Sequence, residues 1–251
     1  MGANWPIVLS IAGFDPCGGA GILSDIKTFE QHKVYGLGIN TAQTVQTEND
    51  FIYIKWETEN DILKAVDTML SHYNVEVVKI GIIENILVLN NIVSFIHQKN
   101  KAIKIVVDTV IKSSSGFNFW NDKMNEQLLF ETLSKIFLIT PNYNEALQLI
   151  PSANAKESAV KLSAHCNVLL KGGHNNEEVA VDYLYMQNNI EKMEGNTNNT
   201  YAKHGSGCVL SAAITANLAL GFDLVSSCKN AKKYIEQFLS SNHTLLGYHY
   251  V

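Results

Sequence analysis

Short apolar segments alternate with helical patterns along most of this chain, and this alternation restricts the fold more than any other feature. Strands are predicted at residues 75–81, 103–108, 136–140 and 167–171. Helices are predicted around them at residues 86–99, 124–135, 144–149 and 156–165. Strands that alternate with helices form a sheet that is covered on both faces. The expected fold class is therefore α/β, with a mostly parallel central sheet and helices on both faces.

The two ends of the chain extend this sheet. The N-terminal part is predicted to begin with a buried strand (7–12), a glycine-rich loop (13–21) and a helix (22–31). A second strand (34–40), a polar segment (41–47), a flap strand (51–56) and a helix (60–73) are predicted to follow. The C-terminal part is predicted to hold a hairpin, a helix that is apolar on every face and a final amphipathic helix, at residues 179–194, 209–220 and 223–241. We therefore expect a small flap or hairpin at the sheet edge.

The composition indicates one domain, residues 1–251, because four prolines and the lack of low-complexity runs leave no obvious linker. Hydrophobic residues make up 46% of the chain, which is enough for a large core. No apolar run is long enough to span a membrane, and the first residues lack the charged and apolar regions of a signal peptide. We therefore expect a cytoplasmic protein with no membrane partner.

The charges and cysteines point to a small-molecule partner. The net charge is −5 and no dense basic patch is present, so nucleic acid is not an expected partner. The four cysteines form no C-x-x-C pair and lack the histidine spacing of zinc sites. Reduced thiols are expected, rather than a disulfide framework or a metal cage.

The sequence HGSGC at residues 204–208 leads directly into the apolar helix. Glycines permit a tight turn, and the first N–H groups of a helix lack intrahelical partners, so a phosphate or a developing oxyanion is a suitable occupant. Cys208 lies where a helix N-terminus can lower a thiol pKa. On the turn alone, an ordinary glycine connection with a small buried cysteine is an equally good interpretation.

Polar residues recur where the predicted strands end. They are Asp15, Gly81, Asp108, Asn142, Glu145 and residues 171–173. In open α/β sheets this edge binds ligands, so we expect a cleft there. Asp25 lies close to the glycine-rich loop, and from its position alone the favoured interpretation is an acidic residue that only complements the helix dipole.

Neither a P-loop nor a G-x-G-x-x-G fingerprint is present. The ordered motifs are AGFDPCGGAG at 12–21, SDIKTF at 24–29, KIG at 79–81, VDTV at 107–110, TPNYNEA at 140–146, LKGGH at 170–174 and HGSGC at 204–208. In this order and spacing the chain resembles the hydroxymethylpyrimidine and hydroxymethylpyrimidine-phosphate kinases of thiamine biosynthesis, within the ribokinase-like superfamily. The resemblance extends from residue 7 to about residue 239.

The resemblance implies that ATP donates its γ-phosphoryl group to a hydroxymethyl group on an aromatic heterocycle. Cys208 is the implied base for the substrate hydroxyl. The implied anion hole consists of the backbone N–H groups of Gly205, Ser206 and Gly207. A homodimer is implied as well.

The same resemblance assigns the ligands. Lys171 is assigned to the ATP phosphates, Asn142 to the nucleotide and its ion, and Glu145 and Asp108 to Mg²⁺, directly or through water. The residues assigned to the heterocycle are Gly13, Asp25, Gln46, Ile82 and Val110.

Several positions depart from the family pattern and leave alternatives open. Ile82 stands where the family usually has methionine, Ser114 where it has lysine, and Ser206 where it has threonine. Residues 202–203 are Ala-Lys where Asn-Thr is common. A pyridoxal kinase of the same branch is one alternative, and a catalytically weak heterocycle-binding sensor is the other.

Overall fold

The computed structural model describes residues 5–112, 118–120, 125–174, 178–187, 189–196 and 199–249. The strands are β1 (Ile7–Phe14), β2 (Tyr35–Gln46), β3 (Phe51–Trp56), β4 (Val75–Ile80), β5 (Lys104–Val107), β6 (Leu138–Ile139), β7 (Asn167–Leu170), β8 (Asp182–Met186) and β9 (Asn189–Met193). The helices are α1 (Gly21–Gln31), α2 (Glu59–His72), α3 (Ile86–Lys99), α4 (Glu126–Leu133), α5 (Tyr143–Leu149), α6 (Ala155–Ser163), α7 (Ser206–Ala219) and α8 (Leu224–Ser240).

All nine strands form one sheet in the order β3-β2-β1-β4-β5-β6-β7-β8-β9. The six central strands, β2-β1-β4-β5-β6-β7 in sheet order, pair in parallel. The edge strands β3, β8 and β9 pair antiparallel with their neighbours. The predicted α/β class and mostly parallel sheet are confirmed. The antiparallel additions lie at both edges, with the flap strand β3 at one edge and the β8–β9 hairpin at the other.

Several element boundaries differ from those expected. β2 continues through the polar segment to Gln46, because antiparallel pairing with β3 supplies ladder partners for residues 42–46. β6 is reduced to Leu138–Ile139, and β8 starts at Asp182 instead of residue 179. Apolar character alone does not report where ladder pairing begins and ends.

Helices cover both faces of the sheet. Helices α2 to α6 pack on one face around residues such as Val78 and Ile105, and helices α1, α7 and α8 pack on the other around Val77 and Val106. Side chains of adjacent strand residues thus pack into the hydrophobic cores on opposite faces of the sheet, because side chains alternate along a strand. None of the described helices combines the length and apolar character that a membrane crossing requires.

Helix α7 is buried from Val209 to Ala219, as its sequence predicts. It contacts α1 and α8 and lies against β4, β1 and β5. Ser211, Thr215 and Asn217 are also buried, and each donates its side-chain hydrogen bond back to a carbonyl within the helix. This internal pairing allows polar residues inside a helix that has no solvent-facing side.

Two glycine-rich turns pack backbone against backbone at the start of α7. Gly205 has φ +74°, and a Cβ atom there would lie 2.0 Å from the carbonyl oxygen of Gly19. Gly21 has φ +58°, and its Cβ would lie 2.1 Å from the carbonyl oxygen of Gly13. Both positions need glycine for two reasons, a left-handed backbone and the lack of space for a side chain.

We predict that Gly205→Ala lowers the free energy of unfolding by at least about 2 kcal/mol more than Gly221→Ala does. Gly221, at the other end of the same helix, has φ +88°, but a Cβ atom there would meet nothing within 4 Å, so its substitution costs backbone strain alone. Urea unfolding of both variants measures the difference. Equal losses in the two variants would show that the turns are not in close contact.

Candidate functional site

A cavity of about 960 Å³ lies beyond the carboxyl ends of the parallel strands, where α/β sheets bind ligands. All the sequence-predicted site residues line it except Asp25. They are Gly13, Gln46, Ile82, Asp108, Val110, Asn142, Glu145, Lys171, Gly205, Ser206, Gly207 and Cys208. Residues from distant parts of the chain therefore meet in one space.

The N-termini of α1 and α7 differ from those of the other described helices. Helices α2 to α6 and α8 each begin with a Thr, Asn or Asp side chain that accepts a backbone N–H. Ala20 and Gly205, which precede α1 and α7, provide no such side-chain cap. Residues at both helix starts line the cavity, where a negatively charged ligand group can accept uncapped N–H groups.

Cys208 lies in the first turn of α7 and lines the cavity. Burial raises the pKa of its thiol to about 11; the Lys79 ammonium opposes this shift, and the carboxylates of Asp108 and Asp25 add to it. The lowered thiol pKa expected from the sequence is therefore wrong. The desolvation of a thiolate outweighs the stabilisation that the helix start and Lys79 provide.

Lys171 lies between two acidic side chains. Its Nζ is 2.9 Å from Asp108 Oδ1 and 4.0 Å from Glu145 Oε2. Burial opposes the ionisation of Asp108, but the ammonium groups of Lys171 and Lys79 outweigh it and lower the pKa of Asp108. A Cβ atom on Gly207 would lie 3.3 Å from Lys171 Nζ, so the start of α7 is adjacent to this charged group.

Asn142 and Glu145 form a capping box at the start of α5. The Asn142 side-chain oxygen accepts the Glu145 N–H at 2.9 Å, and Glu145 Oε2 accepts the Asn142 N–H at 2.7 Å. Burial raises the pKa of Glu145 to about 7, with Lys171 opposing the shift. Because the Asn142 oxygen already caps the helix, the carboxylates of Asp108 and Glu145 are the stronger donors for a hard cation.

Asp25 is fully buried behind the cavity wall. Its carboxylate accepts hydrogen bonds from Lys79 Nζ at 2.8 and 3.0 Å and from the Ser10 hydroxyl at 2.5 Å. Lys79 is also fully buried, and it is the member of the pair that lines the cavity. Asp25 therefore does not line the cavity in this structure and its carboxylate is paired with Lys79, while its assignment to the heterocycle stays a prediction.

The cavity end beside the flap has an apolar wall and a fixed amide. Gly13 approaches Ile82 so closely that a Cβ atom would lie 2.4 Å from Ile82 Cδ1. The Gln46 amide nitrogen donates to Thr44 Oγ1 at 3.0 Å, and Thr44 donates to the Phe14 carbonyl at 2.8 Å. The Gln46 amide oxygen is therefore the atom of this group that suits a ligand N–H donor.

The structure adds lining residues that the sequence did not single out. Phe51 on β3 and Phe119 meet edge to face with their ring centroids 5.6 Å apart, and both line the cavity. Lys79 had one available signal, because a lysine inside an apolar strand of a covered sheet requires an acidic partner. The aromatic pair had none, since its members are far apart in sequence and Phe119 follows residues outside the described part of the chain.

The sequence matches the family model described as phosphomethylpyrimidine kinase over residues 15–250. The chain belongs to this family. The hydroxymethylpyrimidine/phosphomethylpyrimidine kinase of Aquifex aeolicus (strain VF5) is 32% identical over 251 residues, which cover 95% of this chain and 96% of that protein. The expected resemblance is confirmed, and membership of the phosphomethylpyrimidine kinase family makes the chain an ATP-dependent kinase.

Solved structures agree with this assignment. Phosphomethylpyrimidine kinase from Clostridium difficile 630 superposes with a TM-score of 0.77 at 30% identity, covering 92% of this chain and 97% of that one. Bacillus subtilis pyridoxal kinase, solved as an ADP complex, superposes with a TM-score of 0.81 at 28% identity, covering 96% and 94%. The chain therefore shares its fold with both a phosphomethylpyrimidine kinase and a pyridoxal kinase.

The departures from the family pattern have different structural settings. Ser114, which stands where the family has lysine, lies outside the described residues. Lys112, two positions earlier in the sequence, lines the cavity. Lys203 is buried beside the turn at residues 204–208, where its Nζ donates to the carbonyls of Asn242 and Thr244 at 2.5 and 2.6 Å. Burial lowers the pKa of Lys203. Lys203 thus ties residues 242–244 to the residue that precedes His204.

We predict that Lys79→Met lowers the free energy of unfolding by about 3–5 kcal/mol, because it leaves the Asp25 carboxylate buried without its cation. The double variant Lys79→Met/Asp25→Leu should regain most of this loss, since both charges are then absent. The exposed Lys229–Glu191 pair provides the control, and Lys229→Met should cost about 1 kcal/mol or less. Urea unfolding measures all three, and a Lys79→Met loss no larger than that of Lys229→Met would contradict the pairing.

Proposed function

We propose that this kinase transfers the γ-phosphoryl group of ATP to 4-amino-5-hydroxymethyl-2-methylpyrimidine, to its monophosphate, or to both, in thiamine biosynthesis. The observation that carries the proposal is the uncapped start of α7, with Cys208 in its first turn, beside Lys171 and Asp108 in one cavity. Helix N–H groups, a lysine and carboxylates are the groups that position and stabilise a transferring phosphoryl group.

The backbone N–H groups of Gly205, Ser206 and Gly207 hold the negative charge that spreads over the phosphoryl oxygens. Cys208 accepts the proton of the substrate hydroxymethyl group as its oxygen attacks. Lys171 contacts the ATP phosphates, and to do so it must move away from Asp108, to which it is bonded at 2.9 Å. When the Lys171 side chain moves to the nucleotide, the Asp108 carboxylate therefore loses its ion-pair partner.

The residues around Lys171 also fit Mg²⁺. The Lys171 ammonium group lies between the carboxylates of Asp108 and Glu145 and neutralises part of their negative charge. Carboxylate oxygens are the donors that Mg²⁺ prefers. When bound, the ion neutralises phosphate charge during the transfer. Asp108 and Glu145 hold it in this proposal, and Asn142 contributes mainly by fixing Glu145 through the capping box.

The heterocycle occupies the end of the cavity beside the flap. The apolar surfaces of Ile82 and Val110 face the ring, and the Gln46 amide oxygen accepts from the exocyclic amino group. The absence of a side chain at Gly13 leaves room for Ile82 beside the ring. Asp25 contributes indirectly in this proposal, because its carboxylate fixes the Lys79 ammonium that lines the cavity.

A pyridoxal kinase is the second candidate. It is favoured by the superposition on Bacillus subtilis pyridoxal kinase and by Ile82, which replaces the usual methionine at the heterocycle. Pyridoxal also presents a hydroxymethyl group on a six-membered ring. The shared fold does not discriminate between the two substrates, since function resides in the site.

We also propose that the protein is a homodimer in the cytoplasm. Ile52 and Tyr53 on the edge strand β3 are exposed apolar side chains that a second copy could cover. The four cysteines are free thiols, which agrees with a reducing compartment.

We predict that turnover with ATP and Mg²⁺ is led by hydroxymethylpyrimidine and its monophosphate when pyridoxal, pyridoxine and pyridoxamine are measured alongside. Purified protein, with and without Mg²⁺, gives kcat/KM for each of the five compounds. Faster turnover of pyridoxal would assign the chain to vitamin B6 phosphorylation. Heterocycle binding without turnover of any compound would support the catalytically weak sensor.

The role of Cys208 predicts a specific pH dependence. Only the thiolate accepts a proton, and its fraction rises with pH until the pKa of about 11 is passed. We therefore expect kcat to rise about tenfold per pH unit between about pH 7 and 10 if nucleotide binding leaves this pKa unchanged.

Two variants of Cys208 complete this measurement. Cys208→Ala should lower kcat by about 10²- to 10⁴-fold, as for the loss of a general base. Cys208→Asp supplies a base that ionises at lower pH than the thiol, so its profile should become flat at lower pH than that of the wild type. A wild-type profile as flat as that of Cys208→Asp, or wild-type kcat in Cys208→Ala, would remove Cys208 from the role of base.

A further inference from the structure

Asp15, Cys17 and His204 form a cluster of three metal-ligating side chains at the edge of the cavity. The Cys17 thiol sulfur lies 3.1 Å from Asp15 Oδ2, and His204 Nε2 lies 3.0 Å from the same oxygen. The ligand atoms of all three residues lie within 4.8 Å of one another. We propose that this cluster is a binding site for one divalent transition-metal ion, with Zn²⁺ as the best-fitting ion.

The geometry already approaches that of a zinc site. Zinc binds sulfur at about 2.3 Å and nitrogen or oxygen at about 2.0–2.2 Å, so neighbouring ligand atoms in a tetrahedral site lie about 3.2–3.6 Å apart. Two of the three separations, those from Asp15 Oδ2 to Cys17 Sγ and to His204 Nε2, are 3.1 and 3.0 Å and lie within a few tenths of an ångström of that range. The third pair, Cys17 Sγ and His204 Nε2, lies within 4.8 Å, so side-chain adjustment completes the site when the ion binds.

Asp15 Oδ2 receives more donors than one oxygen accommodates well. It is within hydrogen-bond distance of the backbone N–H groups of Gly19 and Ala20, of the Cys17 thiol and of the His204 ring. A carboxylate oxygen has two lone pairs, so four donors compete for it. The thiol and the imidazole are the two donors that a metal ion can replace.

Binding of the ion breaks the Cys17 S–H bond, releases its proton to solvent and forms a sulfur–metal bond. The proton that His204 Nε2 donates to Asp15 moves through solvent to Nδ1, which frees the Nε2 lone pair for the ion. Asp15 Oδ2 keeps its two backbone N–H donors and gains a bond to the metal, which replaces the hydrogen bonds from the thiol and the imidazole.

The donor set selects the class of ion. A thiolate, an imidazole and a carboxylate suit zinc and neighbouring transition metals, whereas Mg²⁺ prefers oxygen alone. Cys17 is partly exposed, which leaves a route for the ion from solvent, while Asp15 and His204 are buried and line the cavity. Sequence spacing gave no zinc pattern because the ligands come from two loops 189 residues apart.

The site joins the two glycine-rich turns. Asp15 and Cys17 belong to the loop between β1 and α1, and His204 directly precedes Gly205. An ion bound here therefore crosslinks the loops whose backbones already touch. The proposal does not depend on the proposed function, since it uses no substrate or nucleotide.

The test titrates tag-free protein, without nucleotide, with Zn²⁺ in competition with a chromophoric chelator and in excess Mg²⁺. We expect one Zn²⁺ per chain in the wild type and binding weaker by about 100-fold or more in Cys17→Ser, which keeps a hydroxyl donor to Asp15. Zn²⁺ should also raise the melting temperature of the wild type but not of Cys17→Ser. Cys17→Ala serves as a second variant if the serine variant does not fold.

Co²⁺ identifies the thiol that binds. Thiolate-to-cobalt charge-transfer absorption should appear in the wild type, persist in Cys166→Ser and Cys208→Ser, and disappear in Cys17→Ser. Stoichiometric Zn²⁺ binding that is unchanged by Cys17→Ser would overturn the proposal. A cobalt thiolate band that requires Cys208 instead would move the ion to the catalytic turn and overturn it as well.

Discussion

The contact between the backbones of Gly205 and Gly19 is the constraint on which the rest of the site depends. No side chain fits between these turns, so α7 and the loop before α1 are held at a single separation. The Asp15–His204 hydrogen bond spans the same two loops from the side. Because the strands hold the loops and α7 is packed in the core, the fold positions the N–H groups of the turn at residues 204–208 without any capping side chain.

Buried charge gives this turn its electrostatic setting. The protein as a whole is acidic, with a net charge of −5, yet the ammonium groups of Lys79 and Lys171 line the cavity. Each is paired with a carboxylate, Asp25 or Asp108, so the charges remain tolerable in a desolvated site. The two pairs give the cavity no net positive charge by themselves, so the lysines act on an anionic ligand only when they separate from their carboxylates.

The sequence predicted those features that depend on local pattern. Alternating segments defined the α/β sheet, and the polar residues at strand ends identified the cavity edge. Partnerships across long sequence separations were not predictable: Asp25 and Lys79 are 54 positions apart, and only the folded sheet shows that they pair. The raised pKa of the Cys208 thiol was missed for the same reason, because it results from burial by residues far away in sequence.

Helix α7 has no solvent-facing side, and this has a consequence for the time scales of motion in the cavity walls. Amides in its buried turns are expected to exchange with solvent only when a large part of the domain opens. The edge strand β3 is paired on one side only, so its amides are expected to exchange through local opening wherever no second copy covers it. The cavity wall formed by α7 therefore keeps its position between unfolding events, and β3 is the wall with more freedom to adjust to ligands of different size.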